Sequence, residues 1–151
     1  MAVVVLALGC DEADEGEDPT AYCDSCNLDV QVPLVAAEGA TDCGTVGIGE
    51  DPASVSACVE QALAAGTPFV ARQTLQGIDS SVEVAWVVDA SGVVQQLGHD
   101  SNVCGQAECN EDCGPRVSQA ECANARVGAT PMDALLDCDL GAFAAVCEPP
   151  Q

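Results

Sequence analysis

Along residues 28–34, Leu28, Val30, Val32 and Leu34 alternate with Asp29, Gln31 and Pro33, which is the period-2 pattern of a half-buried strand. Pro33 brings no N–H to a ladder, so this strand is expected at a sheet edge. Thr45-Val46-Gly47-Ile48 adds a second short strand. The period then changes. Val55, Cys58, Val59, Ala62 and Leu63 fall at i, i+3, i+4, i+7 and i+8, one apolar stripe of a helix. Asp51 is placed to cap it and Pro52 to occupy its first turn, while Gly66 and Pro68 end it, the glycine as a left-handed cap.

Three strands follow in the pattern. Over 68–76, Phe69, Ala71 and Leu75 share one face, and Val70, Arg72, Thr74 and Gln76 share the other. Gly77-Ile78-Asp79-Ser80 turns the chain. Val82, Val84, Trp86 and Val88 then alternate with Glu83 and the small Ala85, and Asp89-Ala90-Ser91-Gly92 forms a hairpin turn into a return strand over 93–97. A helix followed by an antiparallel meander predicts an α+β fold: one helix packed on a small antiparallel meander sheet, disulfide-rich, with an irregular cysteine-rich C-terminal part. The stripe Val55/Val59/Leu63 and the row Val82/Val84/Trp86 are natural partners. In the tail, Cys104, Cys109, Cys113 and Cys122 sit among Gly, Asn, Asp and Pro, which favours a stapled loop. Residues 131–138 read as a short helix capped by Thr130, and 140–147 as another turn or two, with Cys138 and Cys147 pinning these pieces to the sheet or to the N-terminal cysteines.

At Asp42-Cys43-Gly44, Asp51-Pro52, Cys58-Val59, Ala64 to Phe69 and Gln76-Gly77-Ile78-Asp79-Ser80, the chain resembles secreted, cysteine-rich lipoproteins of myxobacteria-like deltaproteobacteria, over about residues 42–101. In those proteins a Cys-bearing helix precedes a small antiparallel meander. The resemblance implies an address and a fold and no assigned activity.

Composition sharpens the address. The apolar run 2–9 ends at Cys10 and is followed by the acidic stretch 11–18, so the N-terminus resembles a bacterial lipoprotein export signal. Cys10 is then the acylated first residue of the mature protein, residues 1–9 the signal segment, 10–20 the lipidated cysteine and acidic tether, and 21–151 one disulfide-stapled domain. No Lys or Arg precedes Arg72, so a start upstream of Met1, carrying the basic residues, is expected. The run is far too short to span a bilayer. Of the 11 cysteines, setting Cys10 aside leaves an even number: Cys23, Cys26, Cys43, Cys58, Cys104, Cys109, Cys113, Cys122, Cys138 and Cys147. That density belongs to oxidising compartments. Local spacing pairs Cys43 with Cys58, and the rest of the connectivity stays open.

Charge excludes whole classes. With 25 acids against three arginines the net charge is −22, incompatible with the clustered basic residues that nucleic acid or an anionic membrane surface requires. Membrane attachment would rest on lipid alone. Cationic partners or divalent ions would be favoured, although a solvated acidic surface is the commoner origin of such a balance.

The chemical candidates are few. Cys23-Asp24-Ser25-Cys26 has redox or zinc spacing but precedes the first strand, so structural disulfides are the better reading. Asp100, Glu108, Glu111 and Asp112 are the strongest calcium candidates, without an EF-hand loop. His99, the single histidine, is followed by Asp100-Ser101, yet adjacent residues do not make a triad. Arg72, Thr74, Gln76, Glu83, Gln95 and Gln96 are candidates for a shared polar sheet face, a solvated outer face being the simpler alternative. No cofactor motif is present. The expectation is a lipoprotein of the cell envelope, on the surface or in the periplasm, acting as a non-catalytic binding or structural module. A secreted enzyme or enzyme inhibitor with a site at the sheet edge, and a calcium-assisted adhesion module, are the alternatives.

Overall fold

The structure is a computed structural model that describes residues 21–78, 80–101, 114–128 and 135–147. The export segment, Cys10, the acidic tether, Cys104, Cys109, Cys113 and the first four residues (131–134) of the helix expected over 131–138 lie outside those residues. The fold is α+β, with a mixed seven-stranded sheet in the order β1-β2-β3-β4-β5-β6 and with β7 paired to β5. The strands are β1 (Thr41–Val46), β2 (Phe69–Gln76), β3 (Ser81–Val88), β4 (Val94–Asp100), β5 (Arg116–Val127), β6 (Leu136–Leu140) and β7 (Ala144–Cys147). The helices are α1 (Ala21–Ser25), α2 (Leu28–Val35) and α3 (Ala53–Ala65).

The central helix is where the sequence puts it, except that Pro52, expected in the first turn, is itself the N-cap residue and supplies no side-chain cap bond. Asp51 Oδ1 accepts from the Ala53 N–H at 3.0 Å. Gly66, at φ 63°, closes the helix by donating to the carbonyls of Ala62 and Leu63. The stripe Val55, Val59 and Ala62 is buried against Phe69, Ala71, Val84 and Trp86, with Leu63 packed at its edge. Because α3 connects β1 to β2 and those strands pair in parallel, the sheet is mixed where an antiparallel meander was expected. From β2 to β5 every pairing is antiparallel.

The expected edge strand over 28–34 is instead helix α2. Asn27 adopts extended backbone (φ −145°, ψ 165°), and its side chain accepts from the Val30 N–H at 3.0 Å, a helix N-cap. Leu28 and Val32, four residues apart, are buried with Gln31 between them on the same side. Val30 and Leu34 completed the apparent alternation, but they are 40% and 74% exposed. Leu28 and Val32 pack on Ala85, Val87, Leu97 and Val117, together with Cys26. The second face of the sheet is therefore covered at its centre, where a solvated outer face was expected, and the sheet lies between α3 on one side and α2 on the other.

The tail is also more regular than expected. Cys122 lies in the 12-residue strand β5 and Cys138 in strand β6, where an irregular loop and a helix were expected. Asn124 stands at φ 54°, and the β5–β6 register shifts between Ala123 and Arg126. This bulge turns Ala125 and Val127 onto the same side as Cys122, where they pack against the α3-side core.

Candidate functional site

Disulfides fix the relation of these parts. Cys43–Cys58 ties β1 to α3, as the spacing predicts. Cys122–Cys138 joins β5 to β6, and Cys26–Cys147 joins the segment between α1 and α2 to the last described strand. Cys138 is thus pinned to the sheet and Cys147 to an N-terminal cysteine. Cys23 is disulfide-bonded as well, so all seven described cysteines are oxidised. Cys23 and Cys26 do not form a free thiolate pair, because Cys26 is taken by Cys147. Such cross-linking places the protein in an oxidising, non-cytoplasmic compartment. No helix among the described residues is long and apolar enough to cross a membrane.

Polar groups collect at the end of the sheet formed by the first residues of β3 and β5 and the last of β4. On the α2 side, Arg72 from β2 donates through Nη1 to Asp29 Oδ1 on α2. Thr45, Thr74 and Glu83 join this pair around a cavity of about 170 Å³. Register sets the row: Thr74 lies opposite Glu83, and Glu83 opposite His99. His99 Nδ1 is 4.0 Å from Glu83 Oε2, its side chain only 11% exposed, and this nitrogen meets no hydrogen-bond partner. Burial lowers the His99 pKa from its ordinary value, and the nearby charges of Glu83 and Asp100 oppose that shift without cancelling it. The imidazole is consequently neutral near pH 7.

Of the polar residues expected on one open face, Arg72, Thr74, Gln76, Glu83 and Gln95 do share the α2 side of the sheet. Gln96 does not. It faces the opposite side, where its Oε1 accepts from Trp86 Nε1 at 3.1 Å. The sequence run His99-Asp100-Ser101 does not converge. Asp100 projects to the side opposite His99 by strand alternation, and Ser101 Oγ accepts from the Ser81 N–H at 2.8 Å. Ser118 is also opposite, because its neighbour Val117 is the residue paired with His99. Among the described residues no three metal-ligating side chains cluster. Of the calcium candidates, Asp100 is described, while Glu108, Glu111 and Asp112 lie outside the described residues.

A second opening lies on the α3 side of the same sheet end, a cleft of about 250 Å³ with Phe143 at its wall and Gly98 in its floor. Sequence reasoning missed both residues. Gly98, interrupting a strand pattern, was a readable signal. Phe143 was not, because its place depends on β6 and β7 both pairing along β5. Comparison with known protein families, curated proteins and solved structures finds no match to this chain.

Proposed function

We propose that this protein is an exported lipoprotein of the cell envelope, acylated at Cys10, that acts as a non-catalytic binding module. The observation that supports export is the oxidation of every described cysteine, six of them in three cross-links that join the N-terminal segment, α3 and the tail to one sheet. Lipid attachment is supported by the apolar run ending at Cys10 and by the odd cysteine total, which leaves one thiol for acylation. A net charge of −22 leaves no electrostatic route to an anionic membrane, so the lipid on Cys10 is the anchor. Two small open clefts beside a cross-linked sheet suit binding, and the single histidine faces a carboxylate with Ser118 and Asp100 on the other side of the sheet.

The test is intact-mass analysis of the protein expressed with its upstream sequence in an exporting host. A diacyl or triacyl mass on a chain beginning at Cys10, with the ten remaining cysteines oxidised, is the expected result. An uncleaved chain with free thiols would overturn the proposal.

A further inference from the structure

Seven cysteines are described, and each is disulfide-bonded: Cys23, Cys26, Cys43, Cys58, Cys122, Cys138 and Cys147. Six of them pair with one another, in the bonds Cys26–Cys147, Cys43–Cys58 and Cys122–Cys138. Cys23 is the seventh, so its partner is one of the cysteines outside the described residues: Cys10, Cys104, Cys109 or Cys113. Spacing alone does not choose among them. The surroundings of Cys26 do.

The Cys26 N–H donates to the Tyr22 carbonyl at 2.8 Å, so the turn of α1 runs on through Cys26. Residues three apart on a helix lie on one face, with Cβ atoms roughly 5–6 Å apart. Cys23 therefore shares the inner face with Cys26, and it is half-buried while Asp24 and Ser25 are exposed. That face looks onto the start of β5. Cys26 Sγ lies 3.4 Å from the carbonyl oxygen of Pro115, the residue before β5, and the adjoining Gly114 is buried. Cys113 directly precedes Gly114, which holds its Cα within about 7.6 Å of that of Pro115. The other candidates start from farther off. Cys109 is five residues before Gly114, and Cys10 eleven before Ala21. Cys104 follows Ser101 by three, and the Ser101 N–H donates to the Ser81 carbonyl on β3, across β4 from β5. Cys26 is tied to the opposite flank, because its partner Cys147 stands in β7, paired with Val117 of β5.

We infer that Cys23 is joined to Cys113, a second cross-link one helical turn from Cys26–Cys147. The bond forms by exchange with an oxidised dithiol protein of the exporting compartment. One thiolate attacks the disulfide of that protein, the second displaces the mixed disulfide, and the oxidant leaves as a dithiol carrying the two protons and two electrons of the two cysteines. The two bonds bracket the start of β5, Cys26 through β7 and Cys23 through the segment that leads into β5. Load on an N-terminal anchor then passes into the sheet through both bonds, a consequence that rests on the lipoprotein reading. Cys10, Cys104 and Cys109 are the cysteines that remain, an odd set that leaves one thiol for acylation. The bond itself does not depend on acylation, so either proposal can fail alone.

The acidic sequence supplies the cleavage sites for the test. Asp24 separates Cys23 from Cys26, Glu108 separates Cys104 from Cys109, and Glu111 and Asp112 separate Cys109 from Cys113. The full-length chain, oxidised in an exporting host, is alkylated in mild acid without reduction and cut with proteases specific for Asp and Glu. Its fragments are weighed before and after reduction. A linked pair carrying Cys23 and Cys113 is expected, present before reduction and lost after it. Cys23→Ser is expected to expose one new alkylated thiol, at Cys113, with Cys26–Cys147 intact. The mapping of the wild-type chain decides the question even where that variant fails to fold. Cys23 linked to Cys104 or Cys109, or recovered alkylated, would overturn this inference and leave the acylation of Cys10 standing. Cys23 linked to Cys10 would overturn both. An unacylated Cys10 beside an intact Cys23–Cys113 pair would support this inference and overturn acylation alone.

Discussion

Cys26 and Cys147 are joined across 121 positions of sequence, with their Cα atoms 5.6 Å apart. This bond closes the largest described loop in the protein, and both sulfur-bearing residues pack in the α2-side core with Leu97 and Val117. Cross-linking of so long a loop stabilises chiefly by restricting the unfolded chain, an effect that grows slowly with loop length. Replacing both residues by serine is expected to cost about 2–5 kcal/mol. Urea unfolding of the oxidised protein measures it. A variant within about 0.5 kcal/mol of wild type, the range typical of surface changes, would show that the bond contributes little.

Asn27 is the residue that makes 28–35 a helix. Its side chain satisfies the Val30 N–H, one of the orphan donors of the first turn, and its own Nδ2 donates to the Asp24 carbonyl at 2.7 Å. Asn27→Ala is expected to destabilise the protein by about 1 kcal/mol and Asn27→Gly by only a few tenths. Chemical denaturation of the two variants distinguishes them. Equal stability of the alanine variant and wild type would remove the capping role.

That helix also shows how far the sequence could be read. Two spacings overlap at Leu28 and Val32, because a separation of four fits both a strand face and a helix face. Val30 and Leu34 tip the pattern toward a strand, although both are exposed apolar residues on the outer side of α2. In a segment this short the cap carries more information than the periodicity. By contrast α3, with 13 residues, an unbroken stripe and a terminal glycine, was legible throughout. So was β3, whose Val and Trp side chains are large enough to mark its buried face. β5 hid itself for two reasons. Its buried residues past Val117 are the small Ala120 and Cys122, and the bulge at Asn124 breaks the period before Val127. The cleft was only half legible, since Gly98 is local and the approach of Phe143 is topological.

His99 gives the fold a defined response to mild acid. Its pKa is lowered in the folded protein, first by burial, with Glu83 and Asp100 pulling weakly the other way. The unfolded chain therefore binds a proton more readily than the native one below the ordinary value of 6.5. The stability linked to His99 is complete above that value and is lost as pH falls from it toward the depressed native pKa. Other carboxylates titrate at lower pH, so the measurement is a difference: stability of wild type minus His99→Gln, followed from pH 7.5 to 5. The difference is expected to fall as pH falls, and a flat or rising difference would contradict the assignment.

Asp89, half-buried, organises the β3–β4 turn through its carboxylate. Oδ1 accepts from the Ser91 N–H at 2.8 Å, the Ser91 hydroxyl at 2.6 Å and the Val93 N–H at 3.1 Å, and Oδ2 accepts from Gln95 Nε2 at 2.9 Å. Gly92, at φ 84°, then completes the reversal and its N–H donates to the Asp89 carbonyl. Burial by itself would raise the Asp89 pKa, but the hydrogen bonds from Ser91, Gln95 and Val93 outweigh it and hold the carboxyl below its ordinary 3.8. For a lowered carboxylate, the linked stability is present above the unfolded value and disappears as pH falls through the native one. Asp89→Ala, which removes the acceptor for all four donors, is expected to cost about 1–2 kcal/mol at neutral pH. Asp89→Asn keeps one acceptor oxygen and should recover part of the loss while abolishing the acid-dependent component. Stability curves of the three proteins between pH 7 and 2 test both statements. Convergence of wild type and Asp89→Asn at the acid end is the expected outcome, and a constant gap between them would show that the carboxylate charge has no role in holding the turn.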